Sequence, residues 1–260
     1  MPLLSAAAKL TKKGGTMDGG SYIALSGIIS EGRKLDMITN NISNVNTVGY
    51  KSSNMLFGEF LSPKAISAMD SGNNKPLIDK AYPITLNSYV NTSQGPVKKT
   101  GNRLDLAING DGYFVVQTPN GIKYTRNGVF SLNEAGELVN QEGFPVMGVN
   151  KKPIFLNERG SKVTITNMGI INLTDPQTNN DLYYGQILTV NFKNPEYLSK
   201  YGDTMFSASK NSGGPVQNQN PDILQGFVEE SNVNEIKGMV QMINVSQTYN
   251  NMIEALNCRI

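Results

Sequence analysis

Glu134, Glu137 and Glu142 fall close together in the chain. Two carboxyl groups flanking a glycosidic bond are the machinery of sugar hydrolysis, one as acid and the other as nucleophile or base. Here, however, they lie in or beside turn sequence such as Glu134-Ala-Gly136, where charged side chains belong to solvated faces, and no catalysis is assigned to them. Asp105, Asn109, Asp111 and Gly112 resemble part of a calcium loop, but Ala107 stands at a ligand position and no glutamate closes the loop. A plain β-turn accounts for them. The chain has no histidine, the commonest general base and metal ligand near neutral pH, which excludes Ser-His-Asp, Cys-His and zinc chemistry for this chain alone. The lone Cys258 cannot form an intramolecular disulfide and reads as an ordinary thiol. Nor is there a nucleotide-binding glycine loop. The expectation is a chain without cofactor or metal, and not an enzyme.

The 260 residues can hold one large or two small cores, and the net charge of +2 argues neither for nucleic acid nor for an anionic membrane. No apolar run approaches the roughly 20 residues that span a bilayer. Met1 to Ala8 are mildly apolar and are followed by Lys9, Lys12 and Lys13, the reverse of the order in a secretory signal. Residues 1–16 therefore read as a leader or upstream extension, with Met17 a second possible start.

The framework is uneven along its length. From about Ser21 to Val45 apolar residues recur at helical intervals: Ile28, Leu35 and Ile42, and Ala24, Ile38 and Val45, form a coiled-coil-like seam interrupted by Glu31. Gly27 and Gly32 each weaken that helix by about 1 kcal/mol relative to alanine, so it needs a partner. Gly49 stands where a left-handed residue ends the helical region. Between Lys51 and Thr100 four prolines and the Ser71-Gly-Asn-Asn74 loop break the pattern into an irregular β connector. From Asn102 short strands alternate with turns: Tyr113–Thr118, a Pro119-Asn-Gly121 hairpin turn, Ile122–Arg126, then Asn127-Gly128 as a second hairpin signal. That spacing predicts a small antiparallel sandwich or barrel. Ser212 to Pro221 reads as a return loop. A last helix follows, capped by Ser231, whose apolar stripe begins Val233, Ile236, Val240, Ile243 and continues, with drift, to Tyr249, Ile253, Leu256 and Ile260.

The fold class is thus α+β, with discontinuous N- and C-terminal helices forming a coiled-coil-like bundle around a central all-β antiparallel sandwich or barrel. The segments are a leader at 1–16, an N-terminal helix and turn at 17–50, a connector at 51–100, the β-domain at 101–210, a return loop at 211–226 and the C-terminal helix at 227–260. Asparagines cluster at both ends, where their amides compete with helical hydrogen bonds. The expected use of such amides is to tie one subunit to its neighbours.

Thr39-Asn-Asn-Ile-Ser-Asn-Val-Asn-Thr-Val-Gly-Tyr-Lys51 resembles the N-terminal signature of the bacterial flagellar basal-body rod and hook family. Ser93-Gln-Gly95, Thr100 to Ile108, Gly110-Asp-Gly-Tyr-Phe114 and Tyr124-Thr-Arg-Asn-Gly128 resemble its central β-domain. Gly226-Phe-Val-Glu-Glu-Ser-Asn-Val-Asn234 resembles its C-terminal signature. The short middle fits rod proteins with a single β-domain, the proximal type before the distal. The resemblance implies a helical tube built through the terminal helices, transmitting motor torque and leaving an export channel. It implies as partners copies of the same chain, other rod and hook proteins and the flagellar type III export apparatus, with no nucleic acid and no membrane insertion. The implied location is the periplasm-spanning rod, reached without a cleaved signal peptide. Ile28, Leu35, Ile38, Ile42, Val45, Ile236, Val240, Ile243 and Ile253 are the expected seam residues, and Asn40, Asn41, Asn44 and Asn234 the expected polar contacts. An oligomeric binding module and a cell-wall hydrolase using Glu134 or Glu137 stand as alternatives.

Overall fold

The structure, a computed structural model, describes residues 19–61, 81–156, 162–174 and 181–257. Cys258, Ile260, the loop expected at 71–74 and the leader expected at 1–16 lie outside them. The chain divides into two compact units. Among the described residues, one comprises 19–37, 55–61, 81–87 and 240–257, and the other 38–54 and 88–239.

The first unit is built on two helices that pack together. Helix α1 spans Gly19–Ser43 and α2 spans Glu235–Asn257, each passing into the second unit at one end. Neither carries a basic residue in its last turn, and α1 has no acidic residue in its first, so end charges contribute little. Packing must hold them instead. A Cβ at Gly32 would stand 3.6 Å from the Tyr249 ring; the glycine that weakens α1 is also where α2 comes close. On α2 Val245 and Leu256 are buried, with Met242, Tyr249, Met252 and Ile253 half-buried. Positions 242, 245, 249, 252 and 256 form one helical stripe.

The single C-terminal stripe expected from the sequence therefore resolves into two. Ile236, Met239, Val240 and Ile243 are 77%, 42%, 53% and 55% exposed and share a second face at i, i+3, i+4 and i+7. Helix α2 starts at Glu235 and not at 227, because 227–229 is already committed to a strand. Its cap is Asn234, whose Oδ1 accepts from Lys237 N at 2.9 Å. Ser231 Oγ accepts from Val233 N instead.

Strands β1 (Ser53–Leu61) and β2 (Ala81–Val90) pair as a two-stranded sheet. In the second unit follow β3 (Val97–Lys99), β4 (Leu106–Ile108) and the hairpin β5 (Tyr113–Thr118) and β6 (Gly121–Thr125), closed at Thr118 and Gly121 as the Pro119-Asn-Gly121 signal required. A second hairpin joins β7 (Phe130–Leu132) to β8 (Leu138–Asn140). Strands β9 (Lys162–Ile165), β10 (Ile170–Thr174) and β11 (Asp181–Gln186) form a three-stranded sheet. The chain continues through β12 (Thr189–Asn191), β13 (Ser199–Tyr201), β14 (Met205–Ser207), β15 (Val216–Gln217), β16 (Ile223–Gln225) and β17 (Phe227–Glu229). The main sheet runs β13-β14-β6-β5-β12-β15.

Strand β5 is buried on both faces. Phe114 and Val116 join a core with Leu106, Phe130, Leu138 and Ile171, while Tyr113 and Val115 join a second one with Tyr124, Phe192 and Phe206. This is why Tyr113–Val116 reads as an unbroken apolar run and not an alternating one. Asn127-Gly128, by contrast, closes no hairpin: β6 pairs with β5 and β14, and β7 with β8. Asn127 Oδ1 accepts from Val129 N, and Gly128 O from Leu106 N. The local turn chemistry carries the chain from one sheet to another.

Candidate functional site

Both helices leave the β-domain over the same few residues. After α1, Gly49 turns the chain at φ +71° and its N–H donates to Glu229 O at 2.7 Å. A Cβ there would lie 2.3 Å from Asn127 N, so only glycine fits on both counts. The next two residues are fully buried. Tyr50 OH stands 2.8 Å from Asn40 Oδ1 and 3.0 Å from Asn41 Oδ1, sharing one proton between two carboxamides. Lys51 Nζ donates to Ser93 O at 2.7 Å and pairs with Glu229 Oε1 at 2.5 Å.

Glu229 ends β17, the strand before α2, and is completely buried. Its Oε1 also accepts from Gly95 N at 2.8 Å, and its Oε2 pairs with Arg126 Nη1 at 3.2 Å. Lys51, Glu229 and Arg126 are each at most 3% exposed. Burial lowers the Lys51 ammonium from its usual value, and the Glu229 carboxylate opposes that shift. One carboxylate thus holds the segment after α1, the strand before α2, the 93–95 loop and the end of β6. Taking three charges from water costs several kcal/mol each before pairing, so the cluster's contribution is fixed geometry more than net stability. It is a bracket for the roots of the two helices.

Around the bracket the signature amides are engaged within the chain. Asn41 Oδ1 accepts from Ser53 N and its Nδ2 donates to Ser53 O. Asn44 Nδ2 donates to Asn40 O, and its Oδ1 accepts from Thr47 Oγ1. Asn232 Oδ1 accepts from Ser52 N, and its Nδ2 donates to Asn91 O and Ser93 O. Of the expected seam residues, Ile28 and Ile38 are buried, Leu35, Ile42, Val45 and Ile253 half-buried, and Ile236, Val240 and Ile243 exposed. A Cβ at Gly238 would come within 2.9 Å of Ile42 Cγ1. Of the turn carboxylates Glu137 is held locally: Asn133 Nδ2 donates to Glu137 Oε2, and its Oδ1 accepts from Ala135 N and Glu137 N. Among the described residues no cluster of acidic, cysteine or histidine side chains could hold a metal.

The bracket itself escaped the sequence reading, although a signal existed. Three of the quoted motifs carry the bracket's charges: Lys51 ends the N-terminal one, Arg126 lies in Tyr124-Thr-Arg-Asn-Gly128, and Glu229 lies in the C-terminal one.

Lys200 is half-buried, and its ammonium is a cation of another kind. Its Nζ has no hydrogen-bond partner and lies 4.1 Å from the centre of the Tyr50 ring. Burial pulls it down to about 8, opposed by Asp203. The folded value lies below the unfolded one, so stability rises as pH climbs from about 8 towards 10.5 and the charge is lost. Tyr50, pushed up to about 12 by burial and Asp203, stays protonated in that window. Lys200→Met is expected to stabilise the chain by about 1 kcal/mol at pH 7, discounted for partial exposure. The gain should vanish above pH 10.5. Urea unfolding at the two pH values measures both; a destabilised variant at pH 7 would mean that the Tyr50 face outweighs desolvation.

Residues 107–173 match the family described as flagellar hook protein FlgE/F/G D1 domain, and residues 22–51 that described as flagella basal body rod protein. The chain is similar to flagellar basal-body rod protein FlgF of Mesorhizobium japonicum, 33% identical over 90% of each chain. It is also similar to FlgG of Bacillus subtilis, 34% identical over 85% of this chain and 88% of that one. FlgG of Buchnera aphidicola from Schizaphis graminum is 31% identical, over 91% and 94%.

Proposed function

Because the chain belongs to the flagellar basal-body rod protein family, we propose that it is a structural, self-assembling subunit of the rod and performs no catalysis. The observation that carries the assembly reading is the exposed stripe Ile236, Met239, Val240 and Ile243. An apolar helical face of this kind on a chain of a filament-forming family is a subunit contact, and heterologous contacts that do not close generate a helical tube. In that reading Leu35, Ile42, Val45 and Ile253 complete the seam, with Ile28 and Ile38 holding the protomer beneath it. Asn40, Asn41, Asn44 and Asn234 shape the helix roots and present their remaining hydrogen-bonding capacity to neighbours. The bracket at Glu229 ties the segment after α1 to the strand before α2 within the second unit, which gives every copy the same helix roots and a continuous path for motor torque.

The finer parts of the proposal are the proximal position in the rod, contacts with other rod and hook proteins, passage through the type III export apparatus without a cleaved signal, and residence in the periplasm-spanning rod. Among the described residues no helix is long and apolar enough to cross a membrane.

The test is a chain carrying Val240→Asp and Ile243→Asp, expressed in place of the native one. Motility and rods in isolated basal bodies are expected to disappear, while the purified variant unfolds within about 0.5 kcal/mol of the parent, since both sites are exposed. Rods of normal length containing the variant would sink the assembly reading. A groove of about 540 Å³ beside exposed Phe155, Tyr183 and Tyr184 favours the alternative of an oligomeric binding module. That alternative predicts intact rods from which this chain is absent.

A further inference from the structure

The groove of about 540 Å³ lies between the 148–155 segment and β11, all within the second unit. Its volume is in the range of about 300–1,000 Å³ typical of ligand clefts. Val149 N donates to Gln186 O at 2.9 Å and ties the two walls together at one end. Phe155, Tyr183 and Tyr184 line the groove and are 54%, 68% and 43% exposed. Adjacent strand residues normally face opposite sides of a sheet, so two neighbouring tyrosines should not share one groove. A bulge brings them there: Asn172 pairs with Tyr183 and Ile171 with Gly185, which leaves Tyr184 as the extra residue. Gly185 beside them has no left-handed φ, and a Cβ on it would meet nothing within 4 Å. Neither conformation nor crowding within the chain calls for glycine there. What it provides is room in the groove, as a strand glycine does where a ligand comes close.

Exposed aromatic rings call for a ligand with apolar faces, and the polar lining says what its edges carry. Asn150 Oδ1 accepts from Lys152 N, which leaves the Asn150 NH2 as a donor. Gln186 Nε2 donates to Met168 O, which leaves Gln186 Oε1 as an acceptor. Hydroxyl groups answer both kinds. A pyranose ring combines such hydroxyls at its edge with C–H faces that stack on aromatic rings. A proline-rich segment also docks in aromatic grooves, but its prolines have no N–H to give the Gln186 oxygen. Among the described residues Lys152 is the one charged side chain in the lining, and no carboxylate accompanies it. The complementary ligand therefore carries negative charge. We infer that the groove binds an acidic oligosaccharide, with its sugar faces on Phe155, Tyr183 and Tyr184 and a carboxylate at Lys152. The groove uses no residue of the α2 stripe, so this goes beyond the rod reading and does not rest on it.

The test is calorimetric titration of the full-length chain with a galacturonate hexamer, and separately with a neutral N-acetylglucosamine hexamer and a polyproline peptide. The galacturonate hexamer is expected to bind saturably and more tightly than either of the others. Gly185→Val fills the groove without meeting the chain's own atoms. It should weaken binding by about tenfold or more, with the melting temperature unchanged. Tyr184→Ala, which removes one stacking face, should weaken binding by about fivefold. Lys152→Gln should weaken the acidic hexamer by about threefold and leave the neutral one unchanged. No binding of the acidic hexamer overturns the inference, as does binding that Gly185→Val leaves intact. Equal binding of the neutral hexamer overturns the assignment of an acidic ligand. Polyproline bound as tightly as the sugar makes the groove a peptide site and overturns it too. If the parent binds no sugar and Gly185→Val no longer enters rods, the groove is a contact between copies of this chain: the inference fails and the rod reading stands.

Discussion

Glu229→Ala is expected to lower the stability of the chain by about 4 kcal/mol, because it leaves two cations buried without a counter-charge. Lys51 keeps Ser93 O, and Arg126 keeps Ile108 O at 3.4 Å and the face of the Tyr113 ring, 5.1 Å from its centre. Gly95 N loses its acceptor at the same time. Lys51→Met alone is expected to cost less, about 2 kcal/mol, since Glu229 still has Arg126. The diagnostic result is a change of sign. In the Glu229→Ala background Lys51→Met should regain about 1 kcal/mol, because it removes an orphan charge instead of breaking a pair. Chemical denaturation of the four chains gives the cycle directly. Additive losses would mean that the residues contribute as packing volume and that the charges have found water.

The same cluster shows what could be read in the chain before its fold was known. Features fixed by neighbours in sequence were legible. The Pro119-Asn-Gly121 turn closes β5 onto β6, and the α1 seam places Ile28 and Ile38 in buried positions. Features fixed by distant partners were not. Asn127-Gly128 has the composition of a hairpin turn, but Leu106 N takes the Gly128 carbonyl, and that competition comes from twenty-two residues away. The α2 stripe read as one drifting face because apolar residues on two faces of a helix overlap in any window; only the packed Val245 and Leu256 separate them. The asparagine clusters were legible as unusual, yet hydrogen bonds to Tyr50 and Ser53 draw their amides inward. Lys51 and Glu229 are 178 residues apart, and no local pattern reports a pair at that separation.

Gly95→Ala is expected to cost about 4 kcal/mol or to abolish folding. A Cβ there would stand 2.1 Å from Glu230 O and 3.1 Å from its carbonyl carbon. The obstacle is backbone, which cannot turn aside as a side chain can. Relief requires the 93–96 loop and the end of β17 to part. That separation breaks Gly95 N to Glu229 Oε1 and Glu230 N to Pro96 O, both 2.8 Å. It also moves Ser93 O away from Lys51 Nζ. The cost should therefore overlap with that of Glu229→Ala: the double variant is expected to fall at least 1 kcal/mol short of the sum of the two singles. Gly214→Ala, with open space around the new methyl, should change stability by no more than about 0.5 kcal/mol. Urea unfolding of these chains separates steric exclusion at the bracket from the general effect of replacing a glycine. Equal losses at 95 and 214 would remove the close approach of the two segments as the cause. If Gly95→Ala folds at all, its helix roots have lost their common anchor, and it should assemble poorly even where the monomer survives.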